Sequence, residues 1–335
     1  MKRSILGLMY LIHGMRQAGI PVDQRLKQIG LNANAFDPSA VIHADLEWDI
    51  LRTLAKDIHP ELGLDIGQHY ALAGYGPLLM LLLTSSTVEK ALKNAIQYQA
   101  LTHLSGQLLL KESSDCVALE YQSKQLDQPL GLFRAQSEIS GTLKFLQEIH
   151  MMAGLVFPEI RVELPFPPPK DADMLFKFQQ YYGRELYFDC PYARFVFQSN
   201  IMNVGIPSSD AITFRLYEDK CQMEIIRFQE DTLQSTLIES VRDFLDIQRG
   251  YIPSMAETAQ ALNIPERTLR HQLQQQKTSY KDIRVHLIRQ KALKLIDDPS
   301  VSIERIAEML GYSESAAFNH AFKRWFGQSP RQYRK

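Results

Sequence analysis

The last third of the sequence contains an internal repeat, and this repeat constrains the fold more than any other feature. Ser254 has Glu257 three residues after it, the pattern of a capping box that starts a helix. The segment 263–265, Asn-Ile-Pro, predicts a break, and Leu269 and Leu273 then mark the inner side of a second helix. Two short helices joined by a tight turn are typical of a helix-turn-helix.

The same arrangement returns about 48 residues later. Ser302 takes the place of Ser254 as the cap, and the segment 311–313, Gly-Tyr-Ser, takes the place of the break. Phe318 and Phe322 follow as the inward pair, at a shift that is one residue longer. The inner stripes predicted for the first helix of each unit also correspond: Met255, Ala259 and Leu262 match Ile303, Ala307 and Leu310. One helical hairpin is weak evidence, whereas two in register favour a duplicated DNA-reading unit.

Between the two units, residues 279–297 predict one uninterrupted helix. Its apolar positions recur at helical spacing: Ile283, Leu287, Ile288, Ala292 and Leu295. Such a helix would hold the units at a fixed distance, so that two recognition helices enter successive major grooves roughly 34 Å apart. We therefore predict an all-α C-terminal DNA-binding domain over residues 231–335.

Charge is distributed unevenly along the chain. Residues 233–335 contain 16 basic and 11 acidic residues, whereas residues 1–232 contain 21 basic and 27 acidic residues. A basic third joined to an acidic body is typical of a nucleic-acid-binding module attached to a domain of another kind. At 335 residues the chain also exceeds what one hydrophobic core usually serves. We predict two domains, with the boundary near residue 230.

Residues 1–230 predict an α+β domain. Helices are expected in the first 100 residues at 23–30, 45–57 and 86–102, and farther on at 130–152 and 171–182. Residues 107–111 and 116–121 flank a Glu-Ser-Ser-Asp turn and predict a hairpin. Further strands are expected at 159–164 and within 185–197. Residues 209–229 are expected to carry the connection between the domains.

The outward positions of the two recognition helices are the candidate DNA contacts. They are Glu266, Arg267, Arg270, His271 and Gln274 in the first unit, and Ser315, Ala316, Asn319, His320, Lys323 and Arg324 in the second. Arginine binds guanine bidentately and asparagine binds adenine, so Arg267, Arg270 and Asn319 are the predicted base readers.

Other positions on these helices suit different contacts. His271 and His320 occupy equivalent places and can donate to bases or to phosphates. Lys323, Arg324 and the segment 331–334 suit phosphates, which position the protein without reading sequence. The competing interpretation is that all of these residues form ordinary solvated helix faces.

Residues 303–334 resemble the signature of the AraC/XylS family of bacterial transcription regulators. The matching segments are Ile-Glu-Arg-Ile-Ala-Glu-Met-Leu-Gly-Tyr-Ser from 303 and Ala-Phe-Lys-Arg-Trp-Phe-Gly-Gln-Ser-Pro-Arg-Gln-Tyr-Arg from 321. The resemblance extends back to residue 233 and implies a sequence-specific DNA-binding domain. Two positions depart from the family, which usually has serine where Ala316 stands and arginine where His320 stands. The first unit is therefore expected to supply more of the specificity.

The N-terminal 200 residues resemble the sensor domain of the branch that contains the ornithine-utilisation regulators. The resembling pieces are residues 75–78, 84–87, 91–98, 185–189 and 195–197. The resemblance implies a ligand-responsive regulator with an effector-binding, self-associating module. We expect an activator that works with RNA polymerase, and an effector of the carboxylate, amino acid or fatty acid type.

Three residues are candidates for effector contact. Arg134 lies in an otherwise apolar helix start and can pair with a carboxylate, although an internal salt bridge to Glu138 is the competing interpretation. Tyr98 and His103 lie where a helix meets a strand. Their competing interpretation is that they are ordinary core or surface residues.

Several other classes of protein are disfavoured. The sequence lacks Gly-x-Gly-x-x-Gly, Gly-x-Ser-x-Gly and His-Glu-x-x-His, so we expect no enzyme, no cofactor and no metal. The three cysteines lie far apart, and neither a secretion signal nor an 18-residue apolar run is found. We expect a cytoplasmic, nucleoid-associated protein. Its expected partners are double-stranded operator DNA, the effector, RNA polymerase and a second copy of the chain, with no membrane. The alternative is an architectural or interaction protein whose helical hairpins do not read sequence.

Overall fold

The computed structural model describes residues 2–229 and 237–334. The chain divides into two compact units, and each is built from more than one segment. Unit 1 consists of Met1–Ile5, Pro21–Leu54 and Asp231–Lys335, and unit 2 of Leu6–Ile20 and Ala55–Glu230. The boundary predicted near residue 230 lies outside the described residues, so the division of function at this point stays a prediction.

Helices begin where a capping residue precedes an apolar period. Thr87, Asp171 and Ser279 each accept a hydrogen bond from a backbone N–H in the first turn of the helix that follows. The α-helices of the described residues are α1 (Leu6–Gln17), α2 (Val22–Gln28), α3 (Ala44–Leu54), α4 (Gly63–Gly67), α5 (Pro77–Leu83), α6 (Val88–Gln97), α7 (Pro129–Met152), α8 (Ala172–Tyr182), α9 (Ala211–Gln229), α10 (Leu237–Asp246), α11 (Met255–Ala261), α12 (Glu266–Gln275), α13 (Tyr280–Ile296), α14 (Ile303–Met309), α15 (Ser315–Phe326) and α16 (Pro330–Tyr333).

Strands form one small and one larger sheet. They are β1 (Lys2–Ser4), β2 (Val41–His43), β3 (Gln107–Glu112), β4 (Cys116–Gln122), β5 (Arg161–Glu163), β6 (Leu186–Tyr187) and β7 (Ala193–Gln198). In unit 1, β1 pairs antiparallel with β2. In unit 2 the strand order is β3-β4-β7-β5-β6, and β5 runs parallel only to β6.

One row of apolar side chains crosses the five strands of unit 2. In register, the row is Leu110, Leu119, Phe195, Val162 and Leu186. Leu119, Val162 and Phe195 are almost completely buried, and they share a core with residues of α7 such as Ile139 and Leu143. The sheet is therefore held by side-chain packing on the face that shares this core with α7.

Helix α4 crosses α7 at a distance that only glycine permits. A Cβ atom at Gly67 would lie 2.0 Å from the carbonyl oxygen of Ser137, and one at Gly63 would lie 2.6 Å from that of Phe133. Both glycines are buried, and α4 packs directly on α7. Side chains at these positions would force the two helices apart, so the sequence Gly-Leu-Asp-Ile-Gly fixes this crossing.

The centre of unit 2 contains a buried ion pair. Arg134 donates from Nε to Oε1 of Glu138 at 2.6 Å, and both side chains are 1% exposed. The same carboxylate accepts from the backbone N–H of Ser105 at 2.8 Å and from the hydroxyl of Tyr121 on β4. Burial, together with the charge of Glu138, raises the pKa of the Tyr121 phenol well above its usual value, which keeps it a donor.

The predicted fold class is confirmed. Unit 2 is α+β, and residues 237–334 are helical with two helix-turn-helix units joined by α13. The hairpin and the strands on either side of Pro191 lie where the sequence predicts them. The helix predicted over 86–102 ends earlier, at Gln97, because the chain then turns through residues 99–101 toward β3.

Neither a membrane span nor a metal cluster is found in the described residues. No described helix combines the length and the apolar character that crossing a bilayer requires. Likewise, the described histidine, cysteine, aspartate and glutamate side chains include no group of three or more arranged to hold a metal ion.

Replacing Glu138 should destabilise unit 2 strongly. We expect Glu138→Ala to lower the free energy of unfolding by about 3–5 kcal/mol, because Arg134 would be left as a buried charge without its partner. The measurement is urea denaturation followed by far-ultraviolet circular dichroism. The control is Glu89→Ala, which removes the exposed pair with Lys93 and should leave the free energy of unfolding close to that of the wild type, because exposed ion pairs contribute little to stability. Equal losses in the two variants would contradict this account of the buried pair.

Candidate DNA interface and effector cavity

The first helix-turn-helix unit begins at a complete capping box. The backbone N–H of Glu257 donates to Oγ of Ser254 at 3.2 Å, and the backbone N–H of Ser254 donates to the Glu257 carboxylate at 2.6 Å. The Tyr251 hydroxyl also donates to this carboxylate, at 2.8 Å. Burial raises the pKa of Glu257, but the hydrogen bonds from Ser254 and Tyr251 outweigh it and leave the pKa lowered. The carboxylate is therefore kept as an acceptor at the start of α11.

The recognition helix α12 is fixed by a close contact with α11. Leu269 and Leu273 are buried, as predicted, and so is the small residue Ala259 of α11, the helix that α12 contacts. The inner stripe of α11 differs in one position, because Thr258 is buried while Met255 is half-buried. Met255 is the first residue of the helix, so its side chain lies at the edge of the contact.

The second unit repeats this construction around a buried cluster. Ser302 accepts from the backbone N–H of Arg305 at 3.1 Å and starts α14. Residues from three helices then form one buried cluster: Ile288, Ala292 and Ile296 of α13, Ile306 and Ala307 of α14 with Leu310 after it, and Phe318 and Phe322 of α15. The turn before α15 is one residue longer than the turn before α12, as the sequence predicted.

The predicted DNA contacts lie together on the outer faces of α12 and α15. Nine of these eleven side chains are exposed, and Ser315 and Asn319 are half-buried. Arg270 donates to Glu266 at 2.8 Å, and the Gln275 amide lies 3.0 Å from Nε2 of His271. Arg267 has no side-chain partner among the described residues. Both helices therefore present polar and cationic groups to the solvent, and the assignment of these groups to DNA stays a prediction.

Unit 1 also contains an N-terminal part that the sequence did not predict. The buried side chain of Gln248 donates to the carbonyl of Gly30 at 3.1 Å and accepts from the backbone N–H of Asn32 at 2.6 Å. Backbone bonds join the same two segments, from Asp37 to Ile247 and from Arg249 to Ala35. Lys2 forms a buried ion pair with Asp243 of α10 at 3.0 Å. Residues 21–54 thus belong to the same compact unit as α12 and α15 and are bonded to α10 and to the segment that follows it.

Unit 2 contains an apolar cavity of about 80 Å³. It is lined by Tyr75, Leu78, Leu82, Leu83, Val88, Ala91, Leu92, Ala95, Thr102, His103, Leu104, Leu108, Leu119, Thr142, Phe145, Leu146, Ile149, His150, Ala153, Leu155 and Ile206. These residues come from α5, α6, α7, the first strands of the sheet and the loops between them. A concave, mainly apolar site with a few polar groups is the form that small-molecule sites usually take.

The three candidate effector contacts are placed differently. His103 lines the cavity. Arg134 does not line it, because its side chain is engaged by Glu138 as the competing interpretation expected. Tyr98 is 2% exposed and lies outside the lining. Sequence reasoning missed most of the lining, including His150, because residues from several separate elements meet there.

These features define a helix-turn-helix DNA-binding protein that carries a separate α+β unit. A family model described as the arabinose-binding domain of AraC transcription regulators matches residues 19–205, and a helix-turn-helix domain model matches residues 258–335. Since the first match covers more than half of the chain, the protein belongs to the AraC family of transcription regulators. The family resemblance and the class of regulator inferred from the sequence are confirmed.

Three relatives place the chain within this family. A helix-turn-helix-type regulator of Mycobacterium tuberculosis, Rv1395, is 24% identical over 322 residues, which cover 95% of this chain and 92% of the relative. The ornithine utilization regulator of Pseudomonas aeruginosa is 25% identical over 280 residues, covering 82% and 79%. The transcriptional activator CfaD of Escherichia coli is 30% identical over 115 residues, covering 32% and 43%. All three are transcriptional regulators.

Gly30 should be a sensitive position for the DNA-reading unit. It has φ of +68°, and a Cβ atom there would lie 2.6 Å from Cβ of Glu257 in the capping box. Gly327 is the matched control, since it has φ of +78° in the same unit and nothing within 4 Å of the added atom.

We expect Gly30→Ala to destabilise unit 1 by about 1–3 kcal/mol more than Gly327→Ala, because only the first adds overpacking to backbone strain. Both tryptophans, Trp48 and Trp325, belong to unit 1, so tryptophan fluorescence during urea denaturation reports this unit. Identical midpoints for the two variants would show that the contact between residue 30 and α11 does not matter for stability.

Proposed function

We propose that this regulator reads its operator with α12 and α15, inserted into two successive major grooves. The observation that carries this proposal is the placement of two equivalent recognition helices in one compact unit, on either side of α13. Both helices bury their apolar side and expose nine of the eleven residues that the repeat assigns to DNA. Two recognition helices on one rigid frame can enter successive major grooves if they lie about one helical turn of DNA, roughly 34 Å, apart.

Arg267 and Arg270 are the proposed base readers of the first unit. Arg270 is held by Glu266, but the two side chains are 61% and 44% exposed. An exposed pair of this kind contributes about 0–1 kcal/mol, whereas a bidentate contact to guanine discriminates by about 1–3 kcal/mol. The guanidinium can therefore leave Glu266 for a base at little cost.

The second unit is proposed to read fewer bases. Asn319 is the base reader there, and it suits adenine. Ala316 offers only a methyl group, and His320 is exposed and lacks the guanidinium that binds guanine bidentately. Lys323 and Arg324, both exposed near the end of α15, are proposed to contact phosphates. The first unit should therefore carry most of the sequence preference.

The alternative is an architectural protein that binds DNA through charge alone. Its affinity would depend on salt but not on sequence. The region upstream of the regulator's own gene, compared with a shuffled fragment of equal length and composition, separates the two functions. A preference for the upstream region supports sequence reading, and equal affinities would favour the architectural role.

Removing either proposed base reader should weaken specific binding. We expect Arg267→Ala and Arg270→Ala each to lose about 1–3 kcal/mol on the upstream fragment and to lose less on the shuffled one. The control is Arg305→Ala on α14, which removes an exposed arginine paired with Glu308 outside both recognition helices. Fluorescence anisotropy at a fixed salt concentration measures all of these affinities. Wild-type affinity in both test variants would mean that the reading face lies elsewhere.

The cavity of unit 2 is proposed to be the effector site. Effector binding would then change the docking of the units or the association of two chains. Either change would alter how α12 and α15 contact the operator. A ligand can shift such a balance only through its different affinity for the two states. Because one relative is named a transcriptional activator, we propose activation, with RNA polymerase as a partner in the cytoplasm at the nucleoid.

The proposed homodimer is supported by an exposed apolar stripe on α9. The helix buries Phe214, Cys221 and Phe228 on one side. On another side it exposes the members of a second stripe, which we call the α9 stripe: Ile212, Leu216, Met223 and Ile226. A stripe of this kind on one helix can be covered by the same stripe of a second copy around a twofold axis.

A charge placed in the α9 stripe should prevent dimerisation. We expect the double variant Leu216→Glu and Met223→Glu to shift the protein from dimer to monomer in sedimentation velocity, because facing carboxylates would repel and lose water. The control is Val156→Glu, since Val156 is 92% exposed and lies outside α9. If the double variant remains dimeric, or the wild type is monomeric at micromolar concentration, the α9 stripe is not the interface.

A further inference from the structure

The few polar groups of the unit 2 cavity restrict what it can bind. Of its lining residues, Tyr75, Thr102, His103, Thr142 and His150 carry polar side chains, and the others are aliphatic or phenylalanine. The lining contains no lysine, arginine, aspartate or glutamate. A ligand in this cavity therefore exchanges water for apolar contacts and at most a few hydrogen bonds.

Tyr75 and His103 bond to each other and to the backbone. Nε2 of His103 lies 3.0 Å from the carbonyl oxygen of Glu138, which can only accept, so Nε2 carries the proton. Nδ1 is then the acceptor and takes the hydrogen bond of the Tyr75 hydroxyl at 2.5 Å. Thr142 donates to the carbonyl oxygen of Glu138 at 2.7 Å. These side chains already have protein partners for their protons.

His150 differs from them, because one of its ring nitrogens has no partner. Nδ1 lies 2.7 Å from the carbonyl oxygen of Leu146 and must donate to it. Nε2, on the far side of the ring, is buried and has no hydrogen-bond partner among the described residues. The residue is 8% exposed and lines the cavity. A buried polar atom without a hydrogen-bond partner raises the free energy of the folded protein. A ligand that supplies the missing hydrogen bond therefore gains binding free energy.

The ring of His150 is neutral, and its free nitrogen therefore accepts. Burial lowers the pKa of this histidine, although the bond to the Leu146 carbonyl opposes the shift. No carboxylate lines the cavity to stabilise an imidazolium. In the neutral ring, with the proton on Nδ1, Nε2 offers only a lone pair. The complementary group on a ligand is a hydrogen-bond donor.

A charged effector fits this cavity poorly. A carboxylate would meet no cation in the lining, and Arg134 is occupied by Glu138 outside it. An amino acid would bring a second charge into the same apolar surroundings. Moving an ionised group into such a site without a partner costs far more than one hydrogen bond returns.

We propose that the effector is a neutral, largely apolar molecule with a single hydroxyl group, which donates to Nε2 of His150 while the rest of the molecule packs against the leucines of α5, α6 and α7. This inference rests on the proposed function, in which the unit 2 cavity is the effector site. The sequence led us to expect a carboxylate or an amino acid as the effector. The proposed effector is instead a neutral alcohol, because the buried acceptor Nε2 of His150 requires a hydrogen-bond donor.

The test compares three probes that differ mainly in the polar group. They are 1-hexanol, its isomer 1-methoxypentane, which cannot donate, and hexanoate, which is charged at pH 7.5. Titration calorimetry on the full chain should give an affinity for 1-hexanol about fivefold or more above that for the ether, the effect of satisfying one buried acceptor. Hexanoate should bind more weakly than either. No binding of 1-hexanol, or equal binding of the ether, would overturn the inference.

Variants assign the preference to His150. In His150→Phe the acceptor is lost, so the ratio of affinities for 1-hexanol and 1-methoxypentane should fall to about one. His69→Phe is the matched control, because His69 is a half-buried histidine of the same unit that does not line the cavity. This control should keep the wild-type ratio. A preference for 1-hexanol that survives His150→Phe would overturn the assignment.

A third variant separates failure of this inference from failure of the proposed site. Ala95→Phe places a ring in the cavity and should abolish binding of all three probes. If hexanoate binds best and Ala95→Phe abolishes that binding, the cavity is the effector site and only the ligand class is wrong. If a probe binds equally well to Ala95→Phe, the cavity is not the site, and the proposed function of unit 2 fails with it.

Discussion

The geometry of the DNA-reading unit depends on the burial of helix α13. The helix packs on α10, and Ile283 and Leu287 are buried in its first half. Ile288, Ala292 and Ile296 are buried in its second half, in one cluster with residues of α14 and α15. At 17 residues the helix is about 25 Å long. Shifting either helix-turn-helix along it would open cavities at a cost of about 24 cal/mol per Å³. The two recognition helices are therefore held in one frame, and their spacing is a property of the core and not of a flexible linker.

Features with a local signal were predictable, and those made by distant residues were not. The capping serines, the small residues Ala259 and Ala307 and the inward phenylalanines of α15 all lie within a short repeat, so the tandem units follow from the sequence. The contact of Gln248 with Gly30 and Asn32 joins residues more than 200 positions apart through one amide, which leaves no periodicity to detect. His150 was equally hidden, because a histidine on a long buried helix looks like any core residue until both of its nitrogens are traced.

The discontinuous construction of the two units bears on how a signal would pass between them. The chain leaves one unit for the other after Ile5, Ile20 and Leu54, in addition to the connection that precedes α10. Residues 21–54 belong to the same compact unit as α12 and α15, and their flanking segments belong to the unit with the cavity. An effector therefore has several covalent routes by which a change in unit 2 can strain unit 1. A tenfold difference in its affinity for two states is enough to shift their balance by about 1.4 kcal/mol.

Within unit 2, the cavity is connected to the sheet by hydrogen bonds. His103 lines the cavity, contacts the Glu138 carbonyl through Nε2 and offers its own carbonyl oxygen to Arg134 at 3.3 Å. The Glu138 carboxylate in turn holds Tyr121 on β4. In a buried network each bond is strengthened by the low local dielectric, and each broken bond leaves a costly unpaired group. A ligand that displaces the His103 ring therefore disturbs α7 and β4 together. A ligand that packs against the apolar lining and bonds His150 leaves the hydrogen bonds among His103, Glu138 and Tyr121 intact. The position of the free acceptor on His150, separate from this network, thus favours an effector that stabilises the folded arrangement of unit 2 over one that breaks it.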